Sequence, residues 1–499
     1  MLATVPSATL LGVVGHAVTV EAHTSDGLPG YTVVGLPDTS CRESRDRVRS
    51  ALLSSGHPWP DRRMTINLAP TRLRKIGAGL DLAIAVALLV AEEVVPRSAV
   101  EGLAFVGELG LDGSVRPVPG VLPLSEACEA RPVVPLRSTP EARLCRPDAL
   151  GVSNLCEVVA CLRGEEPWPE PPPAPPTPGT HAGPDLADVR GQPFARAALE
   201  VAAAGGHHLL MSGPPGAGKT MLAERLPPLL PDLEGREALD VTAAHSAAGR
   251  LSEMALIRRP PLRAPHHTAS ITALIGGGTS VLRPGEVSMA SGGVLFLDEL
   301  GEFPAAHLDA LRQPLESGWI TVSRAALSVR LPARFLLVGA TNPCPCGQRG
   351  YGPCRCSEAQ LARYRRRLSG PLMDRFDLQL GVGPPDPAAV FDAPEGERTS
   401  DVVPRVARAR KRARLRGVSA NRQLSGSGLE DAAPLQPEAQ ALLRDQLERG
   451  RLTMRGAQRT RAVALTLCDL AGESPPLGVG VIGQAILLRG GQTSAAVAT

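Results

Sequence analysis

The stretch from His208 to Thr220, H-L-L-M-S-G-P-P-G-A-G-K-T, constrains this chain more than any other. A short apolar run ends in a glycine-rich loop, and a helical pattern opens at the Lys-Thr pair. Gly213, Pro214, Pro215, Gly216, Ala217, Gly218, Lys219 and Thr220 satisfy G-x-x-x-x-G-K-[ST] in the strand–loop–helix setting that the motif requires. Glycines let successive backbone N–H groups turn inward around phosphate oxygens, and the following helix adds its positive end. Lys219 can reach the β- and γ-phosphates of a nucleoside triphosphate, and the Thr220 hydroxyl can ligate Mg2+. Lys75, Lys219 and Lys411 are the three lysines among 53 basic residues. A sequence that otherwise uses arginine keeps a lysine where a slim point charge is required.

At 499 residues the chain is long enough for two or three domains. Aromatic residues make up 3% and apolar residues 43%, so the cores must rest on Leu, Val and Ala. The net charge of +3 is nearly balanced, so a nucleic-acid surface would have to be a local patch. No run of 18 apolar residues occurs, which predicts no membrane span, and no secretory leader pattern opens the sequence. The ten cysteines are scattered except for four between 344 and 356, a usage that fits a reducing cytoplasm with one candidate metal site.

Residues 1–164 read as a mixed α/β domain. Strand-like runs cover 13–20, 31–36 and 64–68, with helical runs at Ser44–Leu53 and Asp81–Glu92. Residues 165–184 are a Pro-rich linker. A nucleotide-binding core is expected over 185–390, a basic linker over 391–434 and a helical lid over 435–499.

Within the core, Val294–Leu297 is an apolar strand ending in Asp298 and Glu299. An aspartate there can hold Mg2+, and a glutamate can polarise a water for attack on the γ-phosphate. Phe335–Ala340 is a second buried strand ending in Thr341-Asn342. Parallel sheets carry ligands at the carboxyl ends of their strands, so Asn342 is expected beside the attacking water. Arg375, within Pro371–Leu378, has two readings: a buried arginine paired with Asp374 or Asp377, or a guanidinium presented to a neighbouring subunit's phosphate. Arg455 and Arg459 share one helix face and either reach nucleotide from the lid or stay in solvent.

Cys344, Cys346, Cys354 and Cys356 form C-x-C–x7–C-x-C, enough thiolates for tetrahedral Zn2+ or else four reduced thiols in a loop. Two basic clusters, Arg363–Arg367 and Arg405–Arg416, are either phosphate-backbone contacts or solvated helix faces. His266-His267 lack a third ligand nearby and are expected to be structural or pore-facing.

These motifs together resemble AAA+ ATPases of the helix-2-insert branch, which includes magnesium chelatase motor subunits and MCM helicases. Pro261–Ser270, Gly276–Gly278, Arg283–Glu286, Asn342–Gly347, Val34–Asp38 and Asn67–Pro70 are similar, more narrowly, to the ComM/YifB family of magnesium-chelatase-like proteins. The resemblance implies an α/β fold with a Lon-protease-like N-terminal domain, a P-loop core carrying a helix-2 insert near 258–288, and a C-terminal helical lid. It implies Asn342 as sensor 1, Arg375 as arginine finger, Arg455 as sensor 2, and a hairpin at Thr321–Leu331 with Arg324 and Arg330. Insert and hairpin would face a central pore. The implied function is a homo-hexameric, ATP- and Mg2+-dependent motor that acts on single-stranded or branched DNA in recombination and natural transformation. A chelatase-type motor for tetrapyrrole metallation and a regulatory AAA+ protein without a DNA substrate are the alternatives. The Lon-type Ser–Lys pair has no counterpart in Gly77–Leu82 or Pro119–Pro123, so no peptidase activity is expected.

Overall fold

The computed structural model describes residues 1–173, 183–251, 255–278, 282–324, 327–368, 370–384, 392 and 395–491. Part of the Pro-rich stretch 165–184, the start of 391–434 and the last residues of 435–499 therefore lie outside the described residues.

Alternation along three short apolar strands builds the central core. Leu209 and Met211 turn to one side of their strand while Leu210 turns to the other. Val294 and Phe296 oppose Leu295 and Leu297, and Leu336 and Val338 oppose Leu337, in the same way. Strands buried on both faces read as continuous apolar runs, which is the mark of a parallel sheet. The sheet has five strands in the order Leu262–Arg263, Val294–Leu297, Leu336–Thr341, Leu209–Ser212, Leu378–Gly381, every pairing parallel. Its register sets Ser212 against Thr341 and Leu297 against Gly339, so the phosphate loop, Asp298-Glu299 and Asn342 all emerge at one edge.

One face of this sheet is covered by the helix Pro193–Gly205 and by C-terminal helices. Pro437–Glu448, Met454–Ala471 and Val479–Ile486 form the helical segment expected at the C-terminus. The basic stretch 391–434 is not simply a linker. It holds the helix Thr399–Leu415, whose Val402, Val406, Ala409 and Ala413 are buried at helical spacing in the same core. Arg405 is 2.7 Å from Glu200 and Arg416 is 2.6 Å from Asp469, while Arg410 donates to the Ala203 carbonyl. Much of this cluster therefore ties the helix down, leaving Arg408, Lys411 and Arg414 exposed.

The N-terminal region contains a four-stranded sheet, ordered Leu2–Leu11, Val14–Ser25, Arg63–Ala69, Gly30–Val34, and a three-stranded parallel sheet of Leu103–Phe105, Arg131–Pro135 and Leu150–Val152. The helix Asp81–Ala91 is buried along its whole length. Its Asp81 is paired with Arg47 at 2.6 Å, as a carboxylate at 1% exposure requires.

This region is packed on the core and not merely tethered to it. The helix Val121–Ala127 lies against Gly235–Ala247, where the Gly120 N–H donates to the Ser246 carbonyl at 3.0 Å. The buried Glu141 carboxylate accepts from the Ser246 hydroxyl and from the Leu122 N–H, and burial pushes its pKa above the usual carboxylate range. At the first hairpin, Gly12 (φ +65°) is pressed on the core: a Cβ there would stand 2.5 Å from Val329. Val329 belongs to the antiparallel hairpin Trp319–Arg324/Leu327–Pro332, which falls where the hairpin was expected.

Candidate nucleotide site

Three strand ends and one loop converge on a cavity of about 430 Å³. Pro215–Met221, Asp298, Glu299, Thr341 and Asn342 line it. The loop's course is fixed by close approaches that only glycine allows. A Cβ on Gly213 would stand 1.9 Å from the Val382 carbonyl oxygen, while Gly216 and Gly218 adopt φ +79° and +84°.

Lys219 is nearly buried. Its ammonium donates to the carbonyls of Gly213 at 2.7 Å and Pro214 at 2.9 Å, and to Asn342 Oδ1 at 3.2 Å. Desolvation lowers its pKa, and the carboxylates of Asp298 and Glu299 oppose that shift. The Thr220 hydroxyl donates to Asp298 Oδ2 at 2.9 Å, so the two oxygens offered to a metal already face each other. Hydroxyl and carboxylate oxygens in a water-accessible cleft suit Mg2+, a hard cation that keeps much of its hydration.

Glu299 sits in the left-handed region (φ +49°), rare for a residue with a side chain, and its N–H is held by Asp298 Oδ1 at 2.8 Å. Such a conformation persists where the surroundings impose it, commonly at a functional site. Its carboxylate is 54% exposed and pairs with His267 Nδ1 at 3.3 Å.

Sequence reasoning gave two residues at the site no role there. Tyr364 is buried; its hydroxyl donates to the Asn342 carbonyl at 3.1 Å and lies 2.9 Å from the Thr341 hydroxyl, anchoring the end of the Asn342 strand. His267 belongs to the histidine pair expected to be structural or pore-facing. The adjacent strand Leu262–Arg263 is only two residues long, too short for a periodicity signal.

Arg375 and Arg455 stand apart from this cavity within the chain. Arg375 is 6% exposed and paired with Glu316, not with Asp374 or Asp377. Asp377 is instead the hub for Arg422 at 2.8 Å and Arg459 at 3.0 Å. Burial pushes the Asp377 carboxyl up, but these arginines and His207 outweigh it and hold it down at about 2. Arg455 is exposed in the first turn of Met454–Ala471, while Arg459, one turn on, is the residue that locks this helix to the core.

The four cysteines follow Asn342 directly. Their sulfurs lie within 4.8 Å of one another, with Cys344 3.4 Å from Cys346 and 3.7 Å from Cys354. Sulfurs bound at about 2.3 Å to one tetrahedral Zn2+ stand about 3.8 Å apart, so the donor set and its spacing fit that ion. The loop also touches the phosphate loop: a Cβ on Gly347 would be 2.5 Å from Pro215 Cδ.

A glycine-rich loop, an Asp-Glu pair and an asparagine at one edge of a parallel sheet define the class, a P-loop nucleotide-hydrolysing protein. Comparison with known proteins narrows it. The family profile for magnesium chelatase, subunit ChlI, matches residues 185–389; that for subunit ChlI of Mg-chelatase matches 20–135; and that for the ChlI C-terminal region matches 396–489. The chain is 47% identical over 494 residues to the uncharacterised protein Rv2897c of Mycobacterium tuberculosis, covering 97% of each. It is 43% identical to the uncharacterised protein YifB of Escherichia coli over 467 residues, 92% of each. It is 40% identical to the competence protein ComM of Haemophilus influenzae over 481 residues, 95% of this chain and 94% of ComM. The chain belongs to the ComM/YifB family of magnesium-chelatase-like proteins, whose AAA+ core supports an ATPase motor. Among the described residues, no helix is long and apolar enough to cross a membrane.

Proposed function

We propose that this chain is a homo-hexameric, Mg2+-dependent ATPase that moves single-stranded or branched DNA, with branch migration during recombination and natural transformation as its task. The observation that carries the ATPase is the convergence of Lys219, Thr220, Asp298, Glu299 and Asn342 on one cavity. Lys219 binds the β- and γ-phosphates, displacing its bonds to the loop carbonyls. Thr220 and Asp298 hold Mg2+, which supplies charge neutralisation between the phosphates when bound. Glu299 takes the proton of the attacking water, Asn342 orients that water, and ADP and phosphate leave. Arg375 acts across a subunit boundary once released from Glu316, and Arg455 contacts nucleotide from the lid. The domain limits are those read from the sequence, except that the helix Thr399–Leu415 belongs with the core, and 1–164 is a Lon-like unit without peptidase activity. Its one lysine, Lys75, is buried with its ammonium on the Pro70 carbonyl.

The DNA assignment is supported by the competence role in the ComM name and by the hairpin carrying Arg330 beside the core. A polyanion gripped by several arginines loses affinity steeply with salt, on the order of 10³-fold between about 50 and 200 mM for six or more phosphate contacts. Fluorescence anisotropy with single-stranded and four-way-junction oligonucleotides should give that slope; a flat salt dependence contradicts a DNA substrate. The chelatase reading is favoured by the descriptions of the three family profiles and by a magnesium-chelatase subunit ChlI of Trieres chinensis, 30% identical over 156 residues but only 27% of this chain. It predicts an ATPase indifferent to DNA.

We also assign Zn2+ to Cys344, Cys346, Cys354 and Cys356, where it would brace the chain after Asn342 against the phosphate loop. Metal analysis of untreated protein should find about one zinc per chain, lost in Cys344→Ser/Cys354→Ser. Equal zinc content in the two proteins removes the assignment.

A further inference from the structure

We propose that the N-terminal region carries its own nucleic-acid contact, a stripe of arginines along the outer edge of its four-stranded sheet that grips a DNA strand by its phosphates. This contact presupposes the reading of the chain as a motor that acts on DNA.

Residues 39–76 hold nine basic and three acidic residues, a net +6 in a chain whose total is +3. The helix Thr39–Ser54 connects the parallel strands Gly30–Val34 and Arg63–Ala69, so it lies over that outer pair of the sheet. It buries Cys41, Ser44, Val48, Ala51 and Leu52. On one flank Arg47 reaches Asp81 at 2.6 Å. Arg42, Arg45 and Arg49 lie on the other flank, exposed, at successive rises of about 4.5 and 6 Å along the axis. Tyr31 of the edge strand meets Ser44 of this helix at 3.4 Å, so the arginine flank looks out over the open edge of the sheet.

The stripe continues at the start of the helix. Asp38 accepts from the N–H groups of Cys41 at 2.8 Å and Gly77 at 3.0 Å, which fixes the first turn to the loop after Ala69. Arg72 and Arg74 are exposed on that loop, while Leu73 and Ile76 pack against the core. The Ile76 N–H is held by Thr9 at 3.1 Å, in the strand whose following turn, at Gly12, presses on Val329. The stripe therefore begins at the joint with the core, on the side of the hairpin that carries Arg330.

None of Arg42, Arg45, Arg49, Arg72 and Arg74 has an ion-pair partner among the described residues. Arg405, Arg416 and Arg422 in the C-terminal part each meet an acid. Of the acids on the same helix, Glu43 turns to Arg47 and Asp46 stands exposed beside the stripe. Cations in the early turns of a helix oppose its dipole, and like charges at helical spacing repel. A row of phosphates relieves both, and a guanidinium matches phosphate oxygens in pairs. The rings of Tyr31 and Trp59 pack on each other at 5.7 Å, so the grip is on the backbone and does not read bases.

The test is fluorescence anisotropy of an oligothymidylate strand with the full-length chain across a salt series. Arg42→Ser/Arg45→Ser/Arg49→Ser should flatten the slope of log affinity against log salt by about 2 and weaken binding on the order of 10²-fold near 0.1 M salt, the loss of three single-strand phosphate contacts. Arg42→Lys/Arg45→Lys/Arg49→Lys keeps the charges and should keep the parent slope. Arg408→Ser/Lys411→Ser/Arg414→Ser removes the same charge from an exposed face elsewhere and should change the slope less. A parent slope in the first variant, or equal losses in the first and third, overturns the stripe. A loss confined to polyglutamate or to phosphatidylglycerol vesicles overturns it in favour of an acidic protein or a membrane surface. If the parent itself fails to bind the strand, the DNA reading fails and the stripe with it.

Discussion

Lys219→Ala should lose ATP binding by on the order of 10²-fold or more and leave no measurable turnover. The ammonium is the one side-chain cation lining the cavity among the described residues. It rests on two loop carbonyls and Asn342 Oδ1, partners it can exchange for phosphate oxygens without leaving its place. The substitution removes the charge and leaves the Gly213 and Pro214 carbonyls without that donor, so the loop loses its internal brace as well. Lys219→Arg should fail nearly as completely. A planar guanidinium cannot occupy the narrow space that a lysine stem fills between the loop and the Asn342 strand. Binding of a fluorescent ATP analogue and phosphate release check both variants, with the thermal midpoint showing that the fold survives. Parent-like turnover in Lys219→Ala would remove the phosphate loop from the mechanism.

Glu299→Gln should behave oppositely in binding and alike in turnover. The glutamine keeps the size and exposure of the side chain, and Lys219, Thr220 and Asp298 are untouched, so ATP affinity should stay within a few-fold of the parent. Hydrolysis should fall by about 10²–10⁴-fold, the usual contribution of a positioned general base. On the proposed assembly ATP then persists between protomers, and an assembled species should accumulate. Comparing ATP binding with single-turnover hydrolysis separates the two effects. A parent-like hydrolysis rate would mean that another group activates the water.

The nucleotide cavity was legible in the sequence because its parts obey local rules. Glycines with a Lys-Thr pair announce the loop, and apolar runs that end in Asp-Glu or Thr-Asn announce strand ends. A parallel sheet then brings such ends together wherever they fall in the chain. Contacts that depend on distant partners were not legible. Of the two readings of Arg375, the pairing with Asp374 or Asp377 does not occur, since it meets Glu316 while Asp377 serves Arg422 and Arg459 from the C-terminal segment. The helix Thr399–Leu415 read as linker because its buried stripe is Val and Ala spaced among arginines, and those arginines find acids and carbonyls only in the folded chain. His267 was visible as a residue but not as a partner of Glu299, since a two-residue strand carries it there. The packing of the N-terminal region on the core, through Glu141 with Ser246 and Gly12 with Val329, likewise has no local sequence signature.

The account stands most directly on one measurement: the ATP hydrolysis rate of the purified chain with and without branched DNA, taken on material whose mass in the presence of ATP is read by light scattering. A ring-sized assembly whose hydrolysis accelerates severalfold when DNA is added is the predicted result. A chain that remains monomeric with ATP and hydrolyses at the same rate whether or not DNA is present would contradict it.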